Sequence, residues 1–166
     1  FRISPHLDDE HNVTRAYAAS TLGYLAQDHP CEVLAADALP GLLDLIDDED
    51  EEVRANAASA LARIAEDHPR EVLAADPLPD VVDLLDDEFK GGRSDAVKLL
   101  SEIAKDHPRE VLATDPLPHL VVLLEDEYRW VRWRAPLTIA RIAEDYPREV
   151  LSADPLPSLV NLLDDE

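Results

Sequence analysis

Apolar residues recur along this chain at helical spacing, and nowhere do they alternate with polar ones. Leu39, Leu42, Leu43 and Ile46 form one stripe, at the three- and four-residue intervals that place side chains on one face of a helix. Val53, Ala57, Leu61 and Ile64 form a second stripe, with Ala58, Ala60 and Ala65 small enough for close helix approach. A short segment from Pro30 to Asp37 precedes both, and its proline suits the first helical position. The acidic stretch Asp47 to Asp50 separates the second helix from the third. It predicts a turn that supplies an N-cap and places acids in the following first turn. The absence of period-two alternation and of hairpin turns argues against strands.

The pattern repeats. Asp28-His29-Pro30 recurs as Asp67-His68-Pro69 and Asp106-His107-Pro108, then as Asp145-Tyr146-Pro147, always at a step of 39 residues. Residues 28–66, 67–105 and 106–144 are therefore three full copies. Residues 1–27 correspond to the back of a preceding copy, and residues 145–166 to the front of a fifth. A single copy cannot bury its own apolar faces, so the copies must stack side by side into one solenoid domain spanning residues 1–166.

In each copy a proline opens the second helix, an aspartate follows eight residues later and an arginine six after that: Pro40, Asp48, Arg54; Pro79, Asp87, Arg93; Pro118, Asp126, Arg132. The partial copies keep Asp9 with Arg15, and Pro157 with Asp165. This signature resembles that of the HEAT repeat family, and the extra short helix before it makes each unit look armadillo-like. The resemblance covers nearly the whole chain. It implies an all-α solenoid of three-helix HEAT/armadillo-like repeats, right-handed if it follows the armadillo precedent. It implies little about function, since such folds serve unrelated partners.

Composition narrows the setting. The 166 residues hold 37 acids and 15 bases, for a net charge of −22. With 46% apolar residues, the chain is too hydrophobic for an acidic disordered tail. Only three of the bases are lysine, Lys90, Lys98 and Lys105. Abundant short carboxylates with so little lysine resemble proteins of extreme halophiles, which implies an archaeal source. There the Debye length is about 3 Å and self-repulsion is screened. An acidic surface for a basic partner is the competing reading. No transmembrane stretch or leader is visible, so a cytoplasmic protein is expected. The charge also disfavours nucleic acid.

Little in the chain suggests catalysis, a cofactor or a metal. Equivalent positions of stacked repeats lie one helix spacing apart, roughly 8–10 Å. The recurring Asp9, Arg15, Asp48, Arg54, Asp87, Arg93, Asp126 and Arg132 therefore form a structural ladder that bridges copies by charge-assisted hydrogen bonds. The same spacing separates His29, His68 and His107 too far for a metal, whose ligands must lie within ~2.1 Å of one point. Cys31 stands where other copies carry Arg70, Arg109 and Arg148. An exposed cysteine is expected there, with no adjacent base to activate it. Gly91-Gly92 lacks the strand and lysine of a phosphate loop, and the acidic turns lack the EF-hand glycine.

Function is sought where the copies differ. By resemblance to armadillo proteins, the groove is lined by positions 17, 20 and 24 of the third helix and their equivalents 56, 59 and 63; 95, 98 and 102; 134, 137 and 141. These include Tyr17, Tyr24, Arg63 and Lys98. The tryptophan–asparagine pairs of nuclear-import armadillo grooves are replaced by Ser20 with Tyr24, Ser59 with Arg63, Lys98 with Glu102 and Leu137 with Arg141. Basic import peptides held in that way are not expected. In the fourth copy Trp130, Trp133, Arg134, Leu137 and Arg141 share one helical face. Tryptophan and arginine are the residues most enriched in binding hot spots, so this face is the expected protein-binding patch. Pro136 lies inside the helix and predicts a kink. In the third copy Gly91 and Gly92 cost roughly 2 kcal/mol of helix propensity, which predicts a late helix start near Ser94 or Asp95 and a hinge or widened loop before it.

The expected function is thus a non-catalytic protein-interaction scaffold. Two alternatives remain open: a regulatory or lyase-like accessory subunit acting on a cofactor-bearing partner, and a HEAT-type nucleic-acid-binding protein. The lack of methionine implies that the chain has lost its start or is an excised piece. The first copy is expected to open with a shortened helix from Ile3 to Leu7. The last ends on an apolar stripe of Leu156, Leu159, Val160 and Leu163, which predicts either a segment of a longer array or ends that contact another copy, end to end, or a partner.

Overall fold

The computed structural model describes residues 7–164. Among them there are twelve α-helices and no strand. Of the expected opening helix from Ile3 to Leu7, residues 3–6 lie outside the described residues, and Leu7 stands in a turn. The chain runs α1 (Asn12–Asp28), α2 (Pro30–Ala35), α3 (Leu39–Asp44), α4 (Glu51–Asp67), α5 (Pro69–Ala74), α6 (Leu78–Asp83), α7 (Lys90–Ala104), α8 (Pro108–Leu112), α9 (Leu117–Leu123), α10 (Arg129–Asp145), α11 (Pro147–Ser152) and α12 (Leu156–Asn161). The architecture is a solenoid of three-helix units.

Each unit uses the same local chemistry. A proline begins the first helix at Pro30, Pro69, Pro108 and Pro147, where its missing N–H would have had no intrahelical acceptor. The bend into the second helix passes through Asp37, Asp76, Asp115 and Asp154, all with φ between 54° and 57°. Aspartate is among the few non-glycine residues that tolerate this left-handed conformation. Two of the second helices tighten into 3-10 turns, Leu45–Asp47 and Leu84–Asp86. Asp50 caps α4, its Oδ1 accepting from the amides of Glu52 and Val53.

The long helices α1, α4, α7 and α10 stack side by side and carry most of one continuous apolar cluster running from Leu7 to Val150. Val53, Leu61, Ile64, Leu99, Leu100, Ile103 and Ile142 are fully buried within it. Helices α1 and α4 touch where Gly23 faces Ala60; a Cβ at Gly23 would come within 3.2 Å of the Ala60 Cα. Among the described residues no helix is long and apolar enough to cross a membrane.

One element differs from its expectation. Helix α7 begins at Lys90, with both glycines inside its first turn, not near Ser94 or Asp95; no widened loop precedes it. Local contacts at the helix start, together with packing of α7 against α4, offset the propensity cost. Asp87 accepts from the Phe89 amide at 2.7 Å, Phe89 N-caps the helix in extended conformation, and its ring lies over Gly91, where a Cβ would stand 2.4 Å from Cε1. Helix α10 remains continuous through Pro136. There the Thr138 hydroxyl donates to the Arg134 carbonyl at 3.1 Å.

Candidate interaction surface on the long helices

An arginine–aspartate ladder holds the long helices in register. Arg15 donates to both carboxylate oxygens of Asp48, at 2.7 and 2.8 Å, and to the Asp9 carbonyl at 2.8 Å. Arg54 repeats this with Asp87 and the Asp48 carbonyl, and Arg93 with Asp126 and the Asp87 carbonyl. Arg132 donates to the carbonyls of Asp126 and Glu127. The guanidinium groups of Arg15, Arg54 and Arg93 thus each join their own copy's turn to the next copy's carboxylate. Burial opposes ionisation of Asp48 and Asp87. Hydrogen bonds from Arg15 and Arg54, bonds from the Asp50 and Phe89 amides, and the guanidinium charges outweigh it and hold both carboxyls below the usual range.

The exposed face of the long helices is where the copies diverge. At one end, Tyr17 and Tyr24 of α1 are 72% and 66% exposed. Arg63 of α4 reaches back over the Tyr24 ring, 4.8 Å from its centroid. Beside it lies a small polar cleft of about 110 Å³, lined by Ser20, Tyr24, Asn56, Ser59 and Arg63. In the middle, Lys98 of α7 pairs with Glu66 of α4 at 3.0 Å.

At the other end, Trp130 and Trp133 of α10 remain 46% and 60% exposed, and Leu137 41%. The two indoles meet edge to face, with centroids 5.9 Å apart and planes at 78°. Arg129 lies over Trp130 and Arg134 over Trp133, at 5.4 and 5.7 Å. Arg141 does not join this group: it is drawn back onto α7, donating to the carbonyl and the hydroxyl of Ser101, with Glu102 3.8 Å away. The spacing places it on the tryptophan face, but its length lets it reach the neighbouring helix.

Two arrangements escaped the sequence. Asp95 sits on the face of α7 between copies. Burial pushes its carboxyl up to about 6, against the pull of Lys98, Arg134 and Arg63. Positions 56, 95 and 134 are equivalent, so the signal was an aspartate standing where its neighbours carry Asn56 and Arg134. The second corrects the expectation for Cys31, which does have a base beside it. Its Sγ lies 3.4 Å from Nε2 of His68, whose Nδ1 faces Glu71 at 3.5 Å. The base comes from the following copy, where sequence neighbours could not reveal it. His29 and His107 likewise face Glu32 and Glu110 of their own copies, at 3.7 and 3.9 Å. No group of three or more His, Cys, Asp or Glu among the described residues could hold a metal ion.

Stacked helical units, a recurring inter-unit ladder and a varied exposed face define an α-solenoid scaffold. The HEAT repeat family model matches residues 3–87, and the chain belongs to that family. Its fold is similar to that of a designed armadillo repeat protein, at 29% identity over 98% of this chain and 74% of the other, with a TM-score of 0.90. Another designed armadillo repeat protein, solved in complex with the peptide (KR)4, matches at 28% identity, 98% and 73% coverage and a TM-score of 0.89. An engineered protein matches at 29% identity, 99% and 73% coverage and 0.93. No match was found among curated proteins.

Proposed function

We propose that this protein is a non-catalytic scaffold that binds an extended segment of a protein partner along the exposed face of α1, α4, α7 and α10. The observation that carries the reading is the edge-to-face pair of Trp130 and Trp133, half exposed and flanked by Arg129 and Arg134. Large aromatic surface left in water beside arginine is the composition of an interface centre. The peptide complex of a designed relative supports the same use of such a fold.

Both tryptophans of the chain lie in this patch, so their intrinsic emission reports directly on its occupancy. Titration with labelled extended peptides is expected to give anisotropy increases accompanied by a change in tryptophan emission. Trp133→Ala should weaken binding by roughly 2 kcal/mol or more with the helical circular dichroism unchanged. Peptides that bind without altering tryptophan emission would place the interface elsewhere.

A further inference from the structure

Two buried side-chain nitrogens among the described residues have no hydrogen-bond partner in the protein: Nη1 of Arg63 and Nε of Arg134. Both are donors, and both belong to the exposed face of the long helices. Buried polar atoms are nearly always paired, and each exception asks for an explanation. The surrounding carboxylates are already engaged. Glu66 pairs with Lys98, while Glu102 faces both Lys105 and Arg141. Asp95 feels Arg63 and Arg134 electrostatically, yet no hydrogen bond joins it to either.

The face therefore has two arginine donors to spare, against one carboxylate, Asp95, that accepts no hydrogen bond. It gathers Arg63, Lys98, Arg134 and Arg141 within a chain of net charge −22. The cleft below Arg63 adds the hydroxyls of Ser20 and Ser59 and the Asn56 amide, which suit a carboxylate oxygen.

From this we infer that the face takes an extended acidic segment, with carboxylate side chains accepting from Arg63 in the cleft and from Arg134 beside Trp133. The inference rests on the scaffold reading above and specifies the partner's charge. It runs against the net charge of the molecule, but range decides between the two. At an ionic strength of 0.15 M, long-range repulsion is screened beyond ~8 Å, whereas a guanidinium–carboxylate contact is short, bidentate and charge-assisted. Length also fits. Four helices separated by roughly 8–10 Å span about 27 Å, and eight extended residues at ~3.3 Å each cover the same distance.

The test uses three labelled octapeptides at 0.15 M salt: alternating glutamate and aspartate, the corresponding alternating amides, and the lysine–arginine peptide (KR)4. The acidic peptide is expected to bind at least about tenfold more tightly than the amide peptide, and the lysine–arginine peptide more weakly than either. Arg63→Gln and Arg134→Gln should each weaken the acidic peptide about tenfold. Circular dichroism and thermal melting check that both variants fold. Tighter binding of the lysine–arginine peptide with altered tryptophan emission would overturn the charge assignment and leave the scaffold reading standing. Equal affinity for acidic and amide peptides, or acidic binding indifferent to both arginine variants, would overturn it as well. Binding of none of the three would remove both readings.

Discussion

Single residues set the electrostatics of this solenoid, and two of them make opposite use of burial. Asp87 is buried but receives Arg54 and the Phe89 amide, so ionisation stabilises the fold. Removing the arginine leaves a buried carboxylate short of donors. Arg54→Ala is expected to cost about 1–3 kcal/mol in denaturant unfolding; a change under about 0.5 kcal/mol would mark the ladder as surface decoration. The depressed carboxyls of Asp48 and Asp87 contribute stability above the unfolded value near 3.9, which is lost as the pH falls through their folded values. The deficit of Arg54→Ala should therefore narrow in acid. Asp95 works the other way. Its carboxyl is raised to about 6, so its contribution is present below about pH 4 and lost as the pH rises through 6. Asp95→Asn should accordingly stabilise the protein by roughly 2 kcal/mol at pH 7–8. The advantage should vanish near pH 4, as thermal melts of the two proteins across that range would show.

At the scale of elements, helix α10 shows how far context overrides propensity. Pro136 removes one backbone donor from the helix interior, at a position where the equivalent residues are Ala19, Ala58 and Val97. All three are buried in the core. Packing of Val131, Ala135, Ile139 and Ile142 holds the helix together across the proline. Pro136→Ala restores the missing N–H without adding bulk and is expected to stabilise the protein by about 1–3 kcal/mol, measured as a higher unfolding midpoint. If the midpoint does not rise, the proline is no burden to the helix.

For the whole molecule, charge and exposed apolar area govern behaviour in solution. A net charge of −22 on an 18.4 kDa chain favours expansion in dilute buffer. The unfolding midpoint should rise markedly between 0.1 M and ~2 M potassium chloride, where the Debye length falls to about 3 Å or less. A flat response would contradict the halophile reading of the composition. The terminal helices expose Val13, Tyr17 and Leu25 on α1, and Leu151, Leu156 and Val160 on α11 and α12. A contact between two such faces at opposite ends would be heterologous and able to propagate. Sedimentation over a hundredfold concentration range in ~2 M salt is expected to show growing particles, and a constant monomer would rule such contacts out.

The sequence alone determined the class, the period and the helix faces, because a 39-residue repeat turns one weak local signal into the same signal several times over. It also marked the ladder positions, since residues at equivalent places in a stack must be neighbours. Only the tertiary structure decided which groups meet across copies. The thiol of Cys31 finds His68 of the next copy, and Arg141 leaves the tryptophan face for Ser101. These outcomes depend on side-chain reach over a few ångströms. A repeat period fixes the spacing of helices but carries no information about which rotamer a long side chain adopts between them. The two unpaired arginine nitrogens belong to the same category: that they lack an acceptor is a property of everything packed around them.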